Sequence, residues 1–235
     1  MPDKNPKIAV IIPTLQEEDY IQEILLRLNK VEPALEIVVV DGGSRDRTVE
    51  LAKPFASKVF QTRKHGIAGG RNYGAKEASG DGLVFLDADV TFPADFAKKV
   101  LDIFNNAGVV GATCNIMPLQ SQSSAKTFFR LYNTMLRFSA KFKPHARGEF
   151  FAVRKSAFNE AEGFDESMPC LEDHDLANRL SRLGRFVFIA DLTVYESLRR
   201  LRKIGFWRAV FTWFMDYISF MFRGKPISQT WQPVR

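Results

Sequence analysis

Val38-Val39-Val40-Asp41-Gly42-Gly43-Ser44-Arg45-Asp46 decides how this chain is read, because a β-branched run closes on an acid and paired glycines lead into a polar helix start. Val84-Phe85-Leu86-Asp87-Ala88-Asp89 repeats the plan. Around both segments, short apolar runs alternate with helical periodicity, which is the pattern of a parallel sheet covered by right-handed crossover helices. The spacing predicts strands over 7–13, 36–41, 59–60 and 83–87, with helices over 17–28, 46–52 and 68–79. The second half predicts strands over 109–114, 150–154, 185–189 and 194–197, and helices over 125–142, 171–183 and 204–222. The fold class is α/β, with a mostly parallel central sheet and helices on both faces.

At 235 residues, 46% of them apolar and 26% charged, the chain is long enough for a sizeable core, and wholesale disorder is excluded. Cys114 and Cys170 stand apart with no paired CxxC, which argues against a disulfide framework or a zinc site of usual spacing and fits a reducing compartment. The apolar run Ile8 to Ile12 is too short for a signal sequence, and Glu17, Glu18 and Asp19 follow at once. No cleaved export signal is expected, and the expected location is cytoplasmic. The net charge of +6 is uneven: residues 1–118 sum to −2 and residues 119–235 to +8. Such asymmetry points the second half toward an anionic partner, against the plainer reading of a soluble basic surface.

Acids at the C-terminal ends of parallel strands face the cleft where ligands bind. In an extended segment Asp87 and Asp89 lie on the same side, and two such carboxylates repel unless a cation sits between them. Mg²⁺ or Mn²⁺ is the natural occupant; the alternative is that these acids cap a following helix. Gly42 and Gly43 either bring main chain close to a ligand or simply turn strand into helix, with Ser44 or Asp46 as the cap. The run Gly69-Gly70-Arg71-Asn72-Tyr73-Gly74 serves either close helix packing or a ligand, with Arg71 addressing a phosphate or a carboxylate.

Taken together, these pieces resemble the family 2 glycosyltransferases, whose catalytic domains have the GT-A fold. The resemblance rests on residues 8–18, 38–48, 69–75 and 85–89, then on Gly163-Phe164-Asp165-Glu166 and the run from Glu172 to Leu180, all in the family's order. It implies a nucleoside-diphosphate sugar donor whose nucleoside is cradled by Pro13, Thr14, Glu17 and Asp41, with Asp41 on the base and Gly43 in the same donor loop. It places Asp87 in the ribose or metal region and Asp89 on a divalent cation that bridges the diphosphate. Glu172-Asp173 matches the family's ED motif, which makes Asp173 the general base of an inverting transfer. The plainer reading of Glu172, Asp173 and Asp175 is an acidic first helical turn. Arg199 and Arg200 fall where relatives close the diphosphate site, or else belong to a membrane-facing surface, and Glu196 is a candidate extra metal ligand.

Two departures matter. The chain has Asp41-Gly42-Gly43-Ser44 where Asp-Asp-Gly-Ser is commoner, so one donor contact is missing and the base and sugar stay open. The Gln-x-x-Arg-Trp motif of processive synthases is also missing, which favours a single addition.

Lys126, Arg130, Asn133, Arg137 and Lys141 recur at helical spacing as one polar stripe, with Phe128, Leu131, Tyr132, Met135 and Phe142 away from it. The segment 204–222 carries a narrow stripe of Arg208, Thr212, Asp216 and Ser219 on an otherwise apolar helix. Basic anchors flank it, and Asp216 would be costly at a bilayer centre, so a helix lying in the plane of an anionic membrane is favoured over a spanning one. An oligomer interface is the other reading of that face. The expected acceptor is membrane-borne: a polyprenyl or dolichyl-type phosphate, or a lipid-linked saccharide. His145 and Arg147 are its candidate contacts, and the protein is expected to sit peripherally on the cytoplasmic face. The expected organisation is a catalytic domain over 1–200, split into a donor half (1–118) and an acceptor half (119–200), then a membrane-associating segment over 201–235. A sugar nucleotidyltransferase and a noncatalytic basic membrane module are the competing readings; no nucleic-acid motif is visible.

Overall fold

The structure, a computed structural model, describes residues 7–62, 66–120 and 123–229. In chain order the elements are β1 (Ile8–Thr14), α1 (Ile21–Leu28), β2 (Glu36–Asp41), α2 (Thr48–Ala52), β3 (Lys58–Gln61), α3 (Gly66–Glu77), β4 (Gly82–Leu86) and β5 (Val90–Thr91). They continue with α4 (Phe96–Phe104), β6 (Val109–Pro118), α5 (Ser123–Ser139), β7 (Phe150–Arg154), α6 (Lys155–Glu160), α7 (Glu172–Leu180), β8 (Arg185–Glu196), α8 (Arg199–Ile204) and α9 (Phe206–Arg223).

Among the described residues the strands form one sheet of order β3-β2-β1-β4-β7-β6-β8-β5. The stretch β3-β2-β1-β4 is wholly parallel, β7 runs against both its neighbours, and β6 and β8 are parallel again. Both halves of the chain therefore share one sheet. Its strands read as unbroken apolar runs because each face packs a separate core. Val10 and Ile12 of β1 join Ile24 and Leu25 of α1 on one face; Ala9 and Ile11 join Ala75 of α3 and Leu180 of α7 on the other. Gly74 lets α3 lie close on the sheet, since a Cβ there would collide with Ile11 and Val40. The glycine-rich run before it is thus packing at this position.

The α/β class and the mostly parallel sheet agree with the sequence reading; several boundaries do not. The helix expected from 17 starts at Ile21, because the Glu17 carbonyl accepts from the Tyr20 and Ile21 backbone amides in a preceding turn. The two strands expected over 185–197 are one strand, whose register against β6 slips between Cys114 and Asn115. The helix expected over 204–222 breaks at Gly205, whose φ of 91° separates α8 from α9. The β5, α4 and α6 elements were not expected, although Phe96, Val100 and Phe104 mark the buried face of α4 at helical spacing.

The two amphipathic segments also differ from their sequence reading. Asn133 of α5 is buried, where its side-chain amide accepts from the Ile116 backbone N–H at 3.1 Å and donates to the Ile116 carbonyl at 2.8 Å. The stripe of 126, 130, 133, 137 and 141 is therefore not one solvated face. Asp216 and Ser219 of α9 likewise turn inward: Asp216 accepts from the backbone amides of Ile227 and Ser228 at 3.0 and 2.8 Å and from the Ser228 hydroxyl at 2.7 Å. With its acid engaged inside, α9 presents Trp207, Phe211, Phe214 and Phe222 outward, beside Leu131, Met135, Phe138 and Phe142 on and after α5. Among the described residues no helix is long and apolar enough to cross a membrane.

Candidate active site

β4 ends at Leu86, and the chain turns through Asp87, Ala88 and Asp89 before re-entering the sheet as β5. Both carboxylates line a cavity of about 1910 Å³. Each is paired with its own arginine. Arg71 Nη2 donates to Asp87 Oδ1 at 3.0 Å, and Arg199 Nε lies 2.8 Å from Asp89 Oδ2. Repulsion between the two acids is thereby relieved by two guanidinium groups from different halves of the chain.

Arg71 is only 1% exposed and holds more than Asp87. Nη1 donates to Glu172 Oε1 at 2.8 Å, and Nη2 donates to the Gly148 carbonyl at 2.9 Å. Gly148 makes room for it, since a Cβ there would sit 2.6 Å from Nη2. Of the two ligands open to Arg71 in the sequence, the structure therefore gives it carboxylates. Burial pushes the Asp87 carboxyl up to about 7 although Arg71 pulls it down, and burial with neighbouring Asp173 pushes Glu172 up to about 7 against the same arginine.

Arg199 meets Glu17 through two bonds, Nη1 to Oε2 at 2.6 Å and Nη2 to Oε1 at 2.7 Å, and its guanidinium lies 4.9 Å from the Tyr20 ring. Pro13, Thr14, Glu17, Gly43, Arg199 and Arg200 all line the cavity. Asp41 does not line it. Its carboxylate is fully buried and accepts from the Gly43 and Ser44 backbone amides at 3.0 and 2.9 Å, from the Thr14 hydroxyl at 3.3 Å and from the Ser44 hydroxyl. Asp41 thus shapes the loop that faces the cavity from within.

Leu171, at φ 63°, turns the chain into α7 and sets three acids in its first turn, where the helix dipole favours them. Glu172 faces Arg71, and Asp173 lines the cavity. Asp173 Oδ1 accepts from the His174 backbone amide at 2.8 Å and lies 2.9 Å from His174 Nδ1. His174 Nε2 is 3.2 Å from the Tyr132 hydroxyl.

Arg147 is largely buried but lines the cavity, bonded to Glu149 at 2.7 Å and Glu196 at 2.8 Å, with the Phe129 and Tyr132 rings 4.8 and 5.3 Å from its guanidinium. Burial and Glu149 push Glu196 well up; burial acts on Glu149 too, but Arg147 outweighs it and holds Glu149 below the usual carboxylate range. His145 is 2% exposed and does not line the cavity; its Nε2 meets the Tyr217 hydroxyl at 3.0 Å, and burial pushes it down to about 3. Of the two candidate acceptor contacts, Arg147 therefore reaches the cavity and His145 does not. Glu149, His174 and Tyr217 were not singled out by the sequence as site residues, and Tyr132 was read only as part of an apolar helix face; the one local signal was an isolated acid in Arg147-Gly148-Glu149 at the entrance of an apolar strand.

The cavity continues past this charged floor to an apolar mouth lined by Leu131, Met135, Trp207, Phe211 and Phe214 of α5 and α9. Carboxylates at a strand edge, a buried ED pair and a wide cleft across one sheet coincide with the sequence pattern described as "Glycosyl transferase family 2", which matches residues 9–162. This chain is a family 2 glycosyltransferase. The family 2 membership sets aside the nucleotidyltransferase and noncatalytic readings.

The chain is 27% identical over 227 residues to a dolichol-phosphate mannosyltransferase of Pyrococcus furiosus, covering 86% of this chain and 64% of that protein. It is 26% identical over 223 residues to the succinoglycan biosynthesis protein ExoA of Rhizobium meliloti, covering 85% of this chain and 66% of that protein. The chain therefore spans about two thirds of the length of these relatives. Its fold is similar to that of the mannosyltransferase PcManGT from Pyrobaculum calidifontis, solved with GDP-Man and Mn²⁺, with a TM-score of 0.71, 25% identity and coverage of 83% of this chain and 58% of that one. The mixed sheet flanked by helices is that of GT-A glycosyltransferases.

Proposed function

We propose that this family 2 glycosyltransferase moves one sugar from a nucleoside-diphosphate sugar to a membrane-borne acceptor, with inversion, and with Asp173 as general base. The observation that carries this reading is the single cavity joining the Asp87, Asp89 and Asp173 floor to the apolar mouth between α5 and α9. A polar donor lies on the floor, near Pro13, Thr14, Glu17, Gly43 and Arg200, and an apolar carrier leaves through the mouth. The mannosyltransferase relatives make GDP-mannose the first donor to try and a dolichyl-type phosphate the first acceptor.

Asp87 and Asp89 fit a divalent cation. Mg²⁺ and Mn²⁺ sites on nucleotides use one or two carboxylates and complete their shell with phosphate oxygens and water. Among the described residues no three His, Cys, Asp or Glu side chains gather to hold a metal; the donor's diphosphate would have to complete the site. Such a cation offsets the charge that develops on the departing nucleoside diphosphate. Arg199 is placed to pass from Asp89 to that diphosphate, and Asp173 to accept the proton of an acceptor hydroxyl. An acceptor that is itself a phosphate arrives ionised, and Asp173 then orients it.

The outward aromatic row of α9, with Arg202 and Lys203 before it and Arg223 after it, supports a helix lying in an anionic membrane surface. This reading divides the chain into a catalytic unit over 1–200 and a membrane-associating segment over 201–235, and places the protein peripherally on the cytoplasmic face.

The test incubates the purified chain with radiolabelled GDP-mannose, Mn²⁺ and vesicles carrying either dolichyl phosphate or a lipid-linked saccharide, with UDP-sugars run alongside. Label in the organic phase that depends on Mn²⁺ is the expected result. Label that stays in water with every donor and lipid, while a soluble sugar accepts it, would overturn the membrane-borne acceptor.

A further inference from the structure

We infer that Tyr132 and His174 are positioning residues that hold Asp173 with one carboxylate oxygen free toward the cavity, an inference that rests on Asp173 being the general base. An ionised carboxylate only accepts hydrogen bonds, so the proton between Asp173 Oδ1 and His174 Nδ1, 2.9 Å apart, belongs to the imidazole. The backbone amide of His174 donates to the same oxygen at 2.8 Å. Oδ1 is thereby held by two donors, whereas Oδ2 has no hydrogen bond among the described residues. The cavity-facing carboxylate has one committed oxygen and one available.

The other ring nitrogen fixes the imidazole in turn. With the proton on Nδ1, Nε2 of a neutral ring is an acceptor, and the Tyr132 hydroxyl 3.2 Å away donates to it. Burial pushes the Tyr132 phenol well above its ordinary range, so the hydroxyl keeps its proton. Its ring cannot wander: it stacks on Phe128 at 5.9 Å and 14°, and the Arg147 guanidinium lies 5.3 Å from its centroid. His145, whose ring centroid is 5.2 Å from that of His174, is neutral near pH 7 and adds no positive charge beside it. The chain Tyr132–His174–Asp173 is therefore polarised in one direction, from α5 to α7.

Its chemical role is orientation. In the transfer the acceptor oxygen forms its bond to the sugar's anomeric carbon, the bond from that carbon to the diphosphate breaks, and the acceptor proton goes to Asp173 Oδ2. His174 keeps its own proton throughout. The helix that supplies Tyr132 also supplies Leu131, which is 68% exposed and lines the apolar mouth. Neighbouring residues of α5 thus face the mouth and the base's support.

With only three histidines in the chain, imidazole tautomers can be read directly by ¹⁵N–¹H long-range NMR on the full-length protein labelled at histidine. His145→Asn and His174→Asn supply the assignments. The expected spectrum at pH 7.5 has His174 as the Nδ1–H tautomer, and Tyr132→Phe shifts its Nε2 resonance and admits the Nε2–H form. Donor cleavage with Mn²⁺ and water as acceptor, followed by nucleoside diphosphate release from GDP-mannose and UDP-sugars, gives the kinetic reading. Tyr132→Phe should lower kcat about tenfold, the worth of one hydrogen bond, with donor KM unchanged. His174→Asn, which can still present an N–H near Asp173, should lose less than His174→Leu. An Nε2–H tautomer in the wild-type protein, or Tyr132→Phe with unaltered tautomer and kcat, would overturn the chain. Wild-type kcat in Asp173→Asn would instead overturn the base, a separate and separately visible failure.

Discussion

Arg71 and Glu172, 101 positions apart in sequence, meet at 2.8 Å with almost no solvent between them. The same guanidinium compensates Asp87, so one buried cation carries two carboxylates at the floor of the site. Replacing it with an apolar side chain of similar length strands both acids. Arg71→Met is expected to cost about 3–5 kcal/mol of unfolding free energy, the usual loss when one partner of a buried pair is removed. Urea denaturation midpoints check this; a loss below about 1 kcal/mol would contradict the central place of Arg71.

His145 gives the acid limb of the stability curve. Its folded value near 3 lies below the ordinary histidine value of 6.5, so between these pH values the unfolded chain binds the extra proton. Its contribution is fully present above about pH 6.5 and is lost as pH falls toward 3, at up to about 1.4 kcal/mol per pH unit. His145→Gln cannot take up that proton. The difference between wild type and variant should therefore steepen with acid, and parallel curves from pH 7 to 4 would refute it.

Donor binding should depend on metal through Asp89. A nucleoside diphosphate at about 100 times its Kd stabilises the folded state by about 2.7 kcal/mol. We expect a thermal shift that needs Mn²⁺ in the wild type and no Mn²⁺ dependence in Asp89→Asn. An unchanged metal-dependent shift in the variant would remove Asp89 from the cation site.

Asp173→Asn separates the two kinds of acceptor. With a hydroxyl acceptor, loss of the base should lower kcat by about 10²–10⁴ while donor binding persists. With a polyprenyl phosphate the proton is already gone, and the loss should be under about tenfold. Equal losses on both would mean that Asp173 contributes something other than proton acceptance.

The apolar mouth makes a prediction about lipid. Phe211→Ser with Phe214→Ser removes two outward rings, each worth about 1.5–3 kcal/mol when buried. Co-sedimentation with anionic vesicles should fall by at least tenfold, and unchanged sedimentation would reassign that face, with ultracentrifugation then testing for self-association.

Strand-end acids were legible in the sequence because an apolar run closing on Asp41 or Asp87 is a local signal. Their partners were not. Nothing near Asp89 announces Arg199, which reaches it only because β8 returns beside β5 and α8 starts at the same edge. The inward turn of Asp216 escaped for a similar reason: a helical wheel counts α9 alone, whereas the carboxylate is claimed by the backbone at 227–228. Asn133 also looked like surface until Ile116 of β6, beyond the stretch paired with β7, offered its backbone N–H and carbonyl to the side chain. Where a second segment supplies the partner, the periodicity of one element cannot show it.

The arginines of the floor are exchanged across the molecule: Arg71, from the first half, serves Glu172 in the second, and Arg199, from the second, serves Glu17 and Asp89 in the first. Each half supplies a guanidinium to carboxylates of the other. The cleft is thus a seam stitched in both directions, and a fragment cut between residues 118 and 172 would leave each piece with unmatched charges at the surface where chemistry is done.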